Sequence, residues 1–290
     1  MEGRSTQSSG AGLSTTPAQQ NALGLALGRI AVAAGKPVLD LFRTGAAVRT
    51  KSDASPVTEA DLAAERMILE GLRNLLPRMP VISEEQPETH QLAPDEAFVL
   101  VDPLDGTREF IAKRDEFTIN IAVIAKGRPI AGAVYAPALG TLWYSGAESF
   151  RLDIAPGTEI GQKIRARPVM VRSPLPGGLF ALVSRSHRDP ATEDFLARLS
   201  LLDRQPMGSS LKFCRIAEGN ADLYVRLGPT HEWDTAAGDA ILSSAGGQVV
   251  DRSGVRLRYG KAELGFRHEG FIASGGLRLS PDKDATLPMP

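Results

Sequence analysis

Apolar residues recur along this 290-residue chain at helical spacing in some segments and in short continuous runs in others. Helical spacing predicts a first helix over residues 18–42, interrupted or kinked at Pro37, and a second over residues 59–76. Thr58 is a good N-cap for the second helix. Asp61, three residues later, makes an acidic variant of the capping box.

Short apolar runs bounded by turn residues predict strands. These runs cover residues 81–83, 97–101, 117–125, 130–135 and 180–184, the region of Tyr224, and residues 248–251, with Trp143 and Tyr144 closing the first antiparallel region. Three more helices are predicted, over residues 191–202, after a cap at Ser209, and from about Thr235. The chain therefore combines strands and helices throughout, which predicts the α/β class.

The order of these elements divides the chain into three parts. Residues 1–17 are rich in Ser, Thr and Gly, and we expect a disordered tail there. Residues 18–155 predict an α+β lobe that carries most of the candidate chemistry. Strand and helix alternate over residues 165–280, which predicts a second, α/β lobe. The polar, irregular segment 151–167 would be the seam between the lobes.

Composition narrows the functional classes. With 33 basic and 34 acidic side chains, the net charge is −1, which gives no global field for a nucleic-acid polymer. Any nucleotide handled should therefore be small. We expect no membrane-spanning apolar run and no signal peptide. The single cysteine, Cys214, excludes an internal disulfide, fits a reducing compartment and suggests a small buried side chain.

The most informative segment is residues 101–110, VDPLDGTREF. It places Asp102 and Asp105 three residues apart on a turn that Pro103 and Gly106 make stiff. Two carboxylates held this close repel each other unless a cation neutralises them, and Mg²⁺ prefers such oxygen ligands. Thr107 adds a hydroxyl that can hold a water. Taken alone, the segment fits an ordinary surface turn as well.

Three further acidic segments favour the metal site. Asp61 lies in SPVTEAD, although stabilisation of a helix start would also explain it. Glu84 and Glu85 follow a short strand, so neighbouring side chains should face apart and only one should meet a metal. Asp234 lies in HEWDTAAGD, whose small residues suit a helix start packed closely against a phosphate.

Taken in order, the segments SPVTEAD, SEE, DPLDGTREF and WDTAAG resemble the inositol monophosphatase superfamily. Within it, the chain is most similar to the 3'(2'),5'-bisphosphate nucleotidases of the CysQ type, over about residues 18–275. Residues 108–110, 184–189 and 208–214 carry the CysQ-like part of the resemblance. The resemblance implies a layered αβαβα sandwich with metals at the interface of the lobes.

The resemblance also implies two or three Mg²⁺ ions per site. Glu84, Asp102 and the backbone carbonyl of Leu104 would hold the first ion. Asp102, Asp105 and Asp234 would hold the second. Such a pair stabilises the entering and leaving oxygens of an in-line displacement, so no side-chain nucleophile is needed.

Catalytic roles follow from the same resemblance. Glu84 and Thr107 would position and deprotonate the attacking water, and Asp61 would steer a third, looser metal or its waters. The scissile phosphate would bridge the metals and lean on the backbone N–H groups of Gly106 and Thr107.

Substrate contacts are the least defined part of this prediction. The expected substrate-binding residues are Glu84, Leu104, Asp105, Gly106, Thr107, Ser184, His187, Gly208, Ser209, Lys212 and Asp234. Lys212 or Arg188 could pair with a second phosphate, but either could equally be a solvated surface residue. The sequence departs from CysQ relatives at Val225, often proline there, and at 268–270, where an Asn-Pro step is common.

The resemblance implies a Mg²⁺-dependent, lithium-sensitive phosphatase that removes the 3'-phosphate of adenosine 3',5'-bisphosphate to give AMP. The 3'-phosphoadenylyl sulfate relative would be a second substrate. The enzyme would be cytoplasmic, free or peripheral at the inner membrane. One alternative is an inositol-phosphate or sugar-phosphate monoesterase, and another is a non-catalytic phosphate-binding regulator. The intact acids argue against the regulator, because binding alone would not require all of them.

Overall fold

The computed structural model describes residues 15–50, 56–92, 96–161, 165–187 and 189–277. Most of the tail predicted over residues 1–17 lies outside these ranges, but its end does not, because the first helix already begins at Pro17. Arg188, a candidate phosphate ligand, also lies outside the described residues. The observed elements confirm the predicted α/β class.

Six α-helices and sixteen strands are described. The helices are α1 (Pro17–Thr44), α2 (Glu59–Leu75), α3 (Thr107–Ile111), α4 (Pro190–Leu196), α5 (Leu211–Ala217) and α6 (Ala236–Ser244). The first nine strands are β1 (Val48–Thr50), β2 (Pro56–Thr58), β3 (Val81–Ser83), β4 (Ala97–Asp105), β5 (Thr118–Ala125), β6 (Arg128–Ala136), β7 (Thr141–Ser145), β8 (Ser149–Asp153) and β9 (Arg167–Pro168). The others are β10 (Leu179–Ser184), β11 (Leu201–Met207), β12 (Leu223–Arg226), β13 (Thr230–His231), β14 (Gln248–Val250), β15 (Arg267–His268) and β16 (Phe271–Ser274). Two 3₁₀ turns, Pro87–Gln91 and Ala262–Leu264, complete the set.

The two large sheets differ in topology. The first has seven strands in the order β3-β4-β5-β6-β7-β8-β9 and is antiparallel except for the pair β3–β4. The second has five strands in the order β11-β10-β12-β16-β14, with β10 parallel to both its neighbours. The parallel strands of the second sheet agree with the alternation of strand and helix in the sequence.

Helices and sheets stack in five layers. The helices α1 and α2 cover one face of the seven-stranded sheet, and α5 and α6 lie between the two sheets. The helix α4 covers the outer face of the five-stranded sheet. This is the αβαβα sandwich that the resemblance implied. One apolar cluster runs from the first sheet through α5 and α6 to the second, so the predicted lobes share a core.

The first helix lies unusually close to the sheet. A side chain at Gly24 would place its Cβ 2.1 Å from the carbonyl oxygen of Ser145, so only glycine permits this approach. The helix is continuous through Pro37, and the predicted interruption there is wrong. Buried Ala34 and Val38 on either side of Pro37 hold the helix against the sheet, which outweighs the loss of one backbone hydrogen bond.

By length and composition, α1 could cross a membrane, and the prediction that no apolar run reaches this length is therefore wrong. Half of its most apolar stretch is buried inside the molecule. Five of its buried residues belong to the cluster between the helices and the seven-stranded sheet, namely Leu27, Ala31, Val32, Ala34 and Val38. In this fold the apolar residues of α1 thus serve as core residues.

Most predicted elements are present within a few residues, but the region after β10 differs. The predicted helix over residues 191–202 is the shorter α4 followed by the edge strand β11. An edge strand can be polar and can contain a proline such as Pro206. The strand β11 therefore lacks the continuous apolar run that predicts a strand. The seam predicted at 151–167 also begins and ends in paired strands, β8 and β9.

Candidate metal and phosphate site

A cleft of about 270 Å³ opens where the two sheets meet α3 and the first turns of α5 and α6. Apart from Arg188, which lies outside the described residues, every residue predicted to bind metal or substrate lines it. These residues are Glu84, Asp102, Leu104, Asp105, Gly106, Thr107, Ser184, His187, Gly208, Ser209, Lys212 and Asp234. The remaining predicted site residue, Asp61, is buried behind the lining.

Three carboxylates meet at one end of the cleft. Glu84, Asp102 and Asp234 each place an oxygen within 4.8 Å of the other two. The strand β3 ends at Ser83, so Glu84 and Glu85 lie in a turn and not on a strand. The predicted alternation of these two side chains therefore rests on the wrong local structure, although only Glu84 lines the cleft.

The strand β4 delivers the next two acids. It continues through the predicted turn as far as Asp105, with an irregular register between Asp102 and Asp105. The N–H of Leu104 donates to Asp102 Oδ1 at 3.0 Å, which stabilises this irregular segment. The strand stops at Gly106, whose φ of 91° is left-handed, and a Cβ there would lie 2.9 Å from the carbonyl oxygen of Glu116.

Asp234 comes from a segment much later in the chain than the other acids. It lies between β13 and α6, where Thr230 Oγ1 and the N–H of His231 donate to its Oδ2. The small residues that follow allow close packing of α6 against α5, whereas the close approach to a phosphate stays a prediction. At Gly238 in α6, a Cβ would lie 2.5 Å from the ring of Phe213.

The acids perturb one another strongly. Burial raises the pKa of Asp102 well above its usual value, and the negative charges of Glu84, Asp105 and Asp234 raise it further. Burial, followed by the charge of Asp234, raises the pKa of Asp105 to about 7, although Lys212 and the N–H of Ser210 oppose the shift. A cation in the cluster would relieve this repulsion. The all-oxygen donor set therefore fits a hard divalent ion such as Mg²⁺.

Asp61 and Thr107 form a separate contact beside the acids. Asp61 Oδ2 accepts hydrogen bonds from the backbone N–H and the hydroxyl of Thr58 at 2.8 and 2.6 Å, so the predicted capping box is present. Asp61 Oδ1 lies 3.4 Å from Thr107 Oγ1, and that hydroxyl also lies 3.2 Å from the carbonyl oxygen of Leu104.

Lys212 organises the opposite wall. Its ammonium donates to the carbonyl oxygens of Met207 and Ser209 at 3.0 and 2.6 Å and lies 4.7 Å from the ring centroid of Tyr224. The side chain is 2% exposed, and burial lowers its pKa to about 8 despite the attraction of Asp105. The alternative of a solvated surface lysine is therefore wrong. The predicted cap at Ser209 is also displaced, because Ser210 is the N-cap of α5.

Sequence reasoning missed several charged residues of the cleft. Arg108, Arg226 and Arg267 line it but were not predicted to bind substrate. Arg226 was detectable in principle, because it follows the strand predicted around Tyr224. His187 is exposed in the cleft; desolvation and the charges of Arg226 and Arg108 lower its pKa to about 4, a shift that solvent moderates.

A short bridge crosses the cleft between α3 and the segment after β10. The hydroxyl of Ser186 donates to the buried carboxylate of Glu109, and Arg108 reaches the carbonyl oxygen of Ser186 at 3.4 Å. The residues after DGT thus hold the segment that carries His187.

Comparison with known proteins gives a consistent result. The model of the inositol monophosphatase family matches residues 20–280. The chain is 44% identical to the 3'(2'),5'-bisphosphate nucleotidase CysQ of Escherichia coli K12 over 78% of this chain and 88% of the relative. It is 46% identical to that of Salmonella typhimurium LT2 over 76% and 86%.

Solved structures agree with the sequence matches. CysQ from Bacteroides thetaiotaomicron superposes with a TM-score of 0.74 at 31% identity, covering 88% of this chain and 98% of that one. An IMPase of Thermotoga maritima superposes with a TM-score of 0.68 over 88% of this chain and 92% of that one, and at 24% identity this likeness concerns the fold alone.

Proposed function

The chain belongs to the inositol monophosphatase family, and we propose that it hydrolyses the 3'-phosphate of adenosine 3',5'-bisphosphate to give AMP and phosphate. The names of its CysQ relatives support this substrate. The observation that carries the proposal is the cleft itself. Acids that fit divalent metals cluster at one end, and Arg108, Lys212 and Arg226 supply positive charge along the other wall.

Metal dependence follows from the family and from the acidic cluster. We assign Glu84, Asp102 and the carbonyl oxygen of Leu104 to one Mg²⁺, and Asp102, Asp105 and Asp234 to a second. When bound, the ions stabilise the entering and leaving oxygens of an in-line displacement at phosphorus.

The protein's own contribution to hydrolysis is orientation. We infer that Thr107 aligns the attacking water, and Asp61 Oδ1 accepts the hydrogen bond of the Thr107 hydroxyl. Asp61 can take up the proton of that hydroxyl at Oδ1 as the water is deprotonated, while two hydrogen bonds from Thr58 to its other oxygen hold the carboxylate in place. We favour this role over the steering of a third ion, because Asp61 lies behind the cleft lining.

Positive side chains on the far wall support recognition of a second phosphate. Lys212 already donates hydrogen bonds to two backbone carbonyl oxygens, so its main effect is to hold the segment that contains Gly208 and Ser209 in place. Arg226 then supplies the charge that meets the 5'-phosphate, and His187, which its pKa of about 4 leaves neutral at pH 7, can add a hydrogen bond. The same two groups could accept the sulfate-bearing phosphate of 3'-phosphoadenylyl sulfate.

The test is phosphate release from a substrate panel. It contains adenosine 3',5'-bisphosphate, 3'-phosphoadenylyl sulfate, inositol 1-phosphate and fructose 1,6-bisphosphate, with Glu84→Gln as the inactive control. We expect the highest kcat/KM for the first compound. Faster hydrolysis of inositol 1-phosphate would support the monoesterase alternative. Binding of the nucleotide without phosphate release would support the regulator.

Three finer properties belong to the same proposal. Two Mg²⁺ ions should be needed for full activity, Li⁺ should inhibit, and the enzyme should act in the cytoplasm. Titrating the rate with Mg²⁺ at fixed Li⁺ tests the first two properties. Fractionation of cells that express the protein tests the third and separates it from association with the inner membrane.

A further inference from the structure

Three aromatic rings form a stack beside the acidic cluster. The ring centroid of His90 lies 4.8 Å from that of Trp233, with the two ring planes 24° apart. The ring centroid of His231 lies 4.5 Å from that of Trp233, with the two planes 10° apart. Trp233 is 4% exposed, and its indole Nε1 has no hydrogen-bond partner among the described residues. Packing on the two imidazoles, on the Phe266 ring and in the apolar cluster between the sheets, and not a polar contact, therefore sets the position of the indole.

The stack joins two segments that are far apart in sequence. His90 Nε2 lies 2.8 Å from the carbonyl oxygen of Ser83, the residue before Glu84. Trp233 directly precedes Asp234, and the N–H of His231 donates to Asp234 Oδ2 at 3.2 Å. A single side chain thus touches the Glu84 segment through its nitrogen and the Asp234 segment through its ring.

These two acids need such support more than their neighbour does. Asp102 is part of β4 and is held by the ladder with β5. Glu84 follows the end of β3 and keeps one backbone hydrogen bond to β4, from its N–H to the carbonyl oxygen of Val101 at 3.1 Å. Asp234 lies between β13 and α6, so neither acid is within a regular element. Their mutual repulsion would separate them in the absence of a cation.

We propose that His90 is a positioning residue that sets the separation of Glu84 and Asp234 through Trp233, and so tunes metal affinity. The inference rests on the proposed function in one respect, because it takes these two acids to be metal ligands. It does not depend on which phosphate ester is hydrolysed.

The first experiment measures Mn²⁺ binding to the metal-free protein by electron paramagnetic resonance, with no substrate present. His90→Ala should weaken binding about tenfold, which corresponds to ~1.4 kcal/mol. His90→Phe keeps a ring but loses the hydrogen bond, and His90→Gln keeps a donor but loses the ring, so each should weaken binding about threefold. Gln91→Ala, at the exposed end of the same 3₁₀ turn, is the matched control and should bind as the wild type does.

A second measurement excludes a merely structural role. The melting temperature in EDTA should change by less than about 2 °C for His90→Phe and His90→Gln. A lower melting temperature of these variants together with an unchanged Mn²⁺ affinity would overturn the proposal. If His90→Ala does not fold, the other two variants decide the question, and affinities within about 1.5-fold of the wild type in both would also overturn it.

Coupling through Trp233 is tested by a double-mutant cycle. In a Trp233→Leu background, the His90→Gln change should weaken Mn²⁺ binding by less than about 1.5-fold. Independent, additive losses would show that His90 does not act through Trp233. A wild-type protein that binds no Mn²⁺ would overturn the metal centre itself, whereas an unexpected preferred substrate would leave this inference intact.

Discussion

At the residue scale, several side chains of the cleft serve a local structural purpose and a chemical one at the same time. Asp61 completes a capping box with Thr58 and also reaches Thr107. Lys212 bonds two backbone carbonyls while it places positive charge near Asp105. Substitutions that keep the structural bond but remove the chemical one can separate the two purposes.

Asp61→Asn is such a substitution. Asparagine can still accept the hydrogen bond from the backbone N–H of Thr58 but cannot take up a proton. We expect kcat to fall at least about 100-fold with KM within threefold and an unchanged melting temperature. Glu59→Gln removes a charge from the same first helical turn, where the side chain is exposed, and should leave kcat unchanged. Wild-type rates for Asp61→Asn would leave Asp61 as a cap only.

Glu84→Gln and Glu85→Gln form a second pair at this scale. The two residues are adjacent in one turn, but only Glu84 lines the cleft and reaches the acidic cluster. We expect Glu84→Gln to lower kcat/KM at least about 100-fold, because the neutral amide is a weak Mg²⁺ ligand. Glu85→Gln should lower it less than threefold. Similar losses for both variants, measured at saturating Mg²⁺, would contradict this assignment.

At the element scale, the second sheet brings the substrate-recognition residues to the cleft. The strands β10 and β12 run parallel, so the residues after Val183 and after Val225 reach the same edge of the sheet. Ser184 and His187 follow one strand, and Arg226 ends the other. Strand direction, and not sequence spacing, therefore brings these groups together.

Replacement of Arg226 tests recognition of the second phosphate. The wild type should prefer adenosine 3',5'-bisphosphate over 3'-AMP by at least about tenfold in kcat/KM, or ~1.4 kcal/mol. Arg226→Ala should remove most of that preference by weakening the bisphosphate alone, and Arg226→Lys should restore part of it. Arg78→Ala, at an exposed arginine after α2 that does not line the cleft, is the control. An unchanged preference in Arg226→Ala would exclude Arg226 as the contact.

At the scale of the whole molecule, the cleft holds several carboxyl groups close together. Without metal, the fold must remain stable despite the repulsion between them. Asp102 and Asp105 have raised pKa values, so the folded protein holds protons that the unfolded chain releases at lower pH. Lowered pKa values at His187 and His268 have the opposite effect, and they act below about pH 6.5, where these imidazoles are charged only in the unfolded chain.

This balance predicts how the stability of the metal-free protein varies with pH. Between pH 6.5 and 8, the stability that protonation of Asp105 provides is lost as pH rises through about 7. Lys212, whose pKa in the folded protein is about 8, and the histidines, which the unfolded chain still protonates near pH 6.5, act in the opposite direction. The contribution of Asp105 is therefore measured as a difference: in EDTA, the melting temperature of the wild type minus that of Asp105→Asn should fall by at least about 2 °C from pH 6.5 to pH 8.

Saturating Mg²⁺ should reverse this slope, because metal binding requires ionised carboxylates. Asp105→Asn should raise the melting temperature of the metal-free protein at pH 8. A difference in melting temperature between the wild type and Asp105→Asn that does not change from pH 6.5 to 8 would show that the acids are not coupled in this way.

The sequence by itself determined the fold class, the family and the composition of the acidic cluster. Hydrophobic spacing located α2 and most strands of the first sheet, because buried faces need a fixed period of apolar residues. The capping box at Thr58 was also predictable, since its hydrogen bonds join residues three apart. The segment VDPLDGTREF carried the family resemblance because its chemistry is concentrated within ten residues.

Tertiary structure alone decided what depends on contacts between distant segments. The strand β11 and the continuity of α1 through Pro37 are set by pairing and packing that leave no local apolar signal. Arg226 reaches the cleft because β10 and β12 are parallel, and the pKa of Asp105 rises because Asp234, 129 positions away in the chain, is brought beside it. Burial and electrostatic coupling depend on distance in space, and the order of residues does not specify that distance.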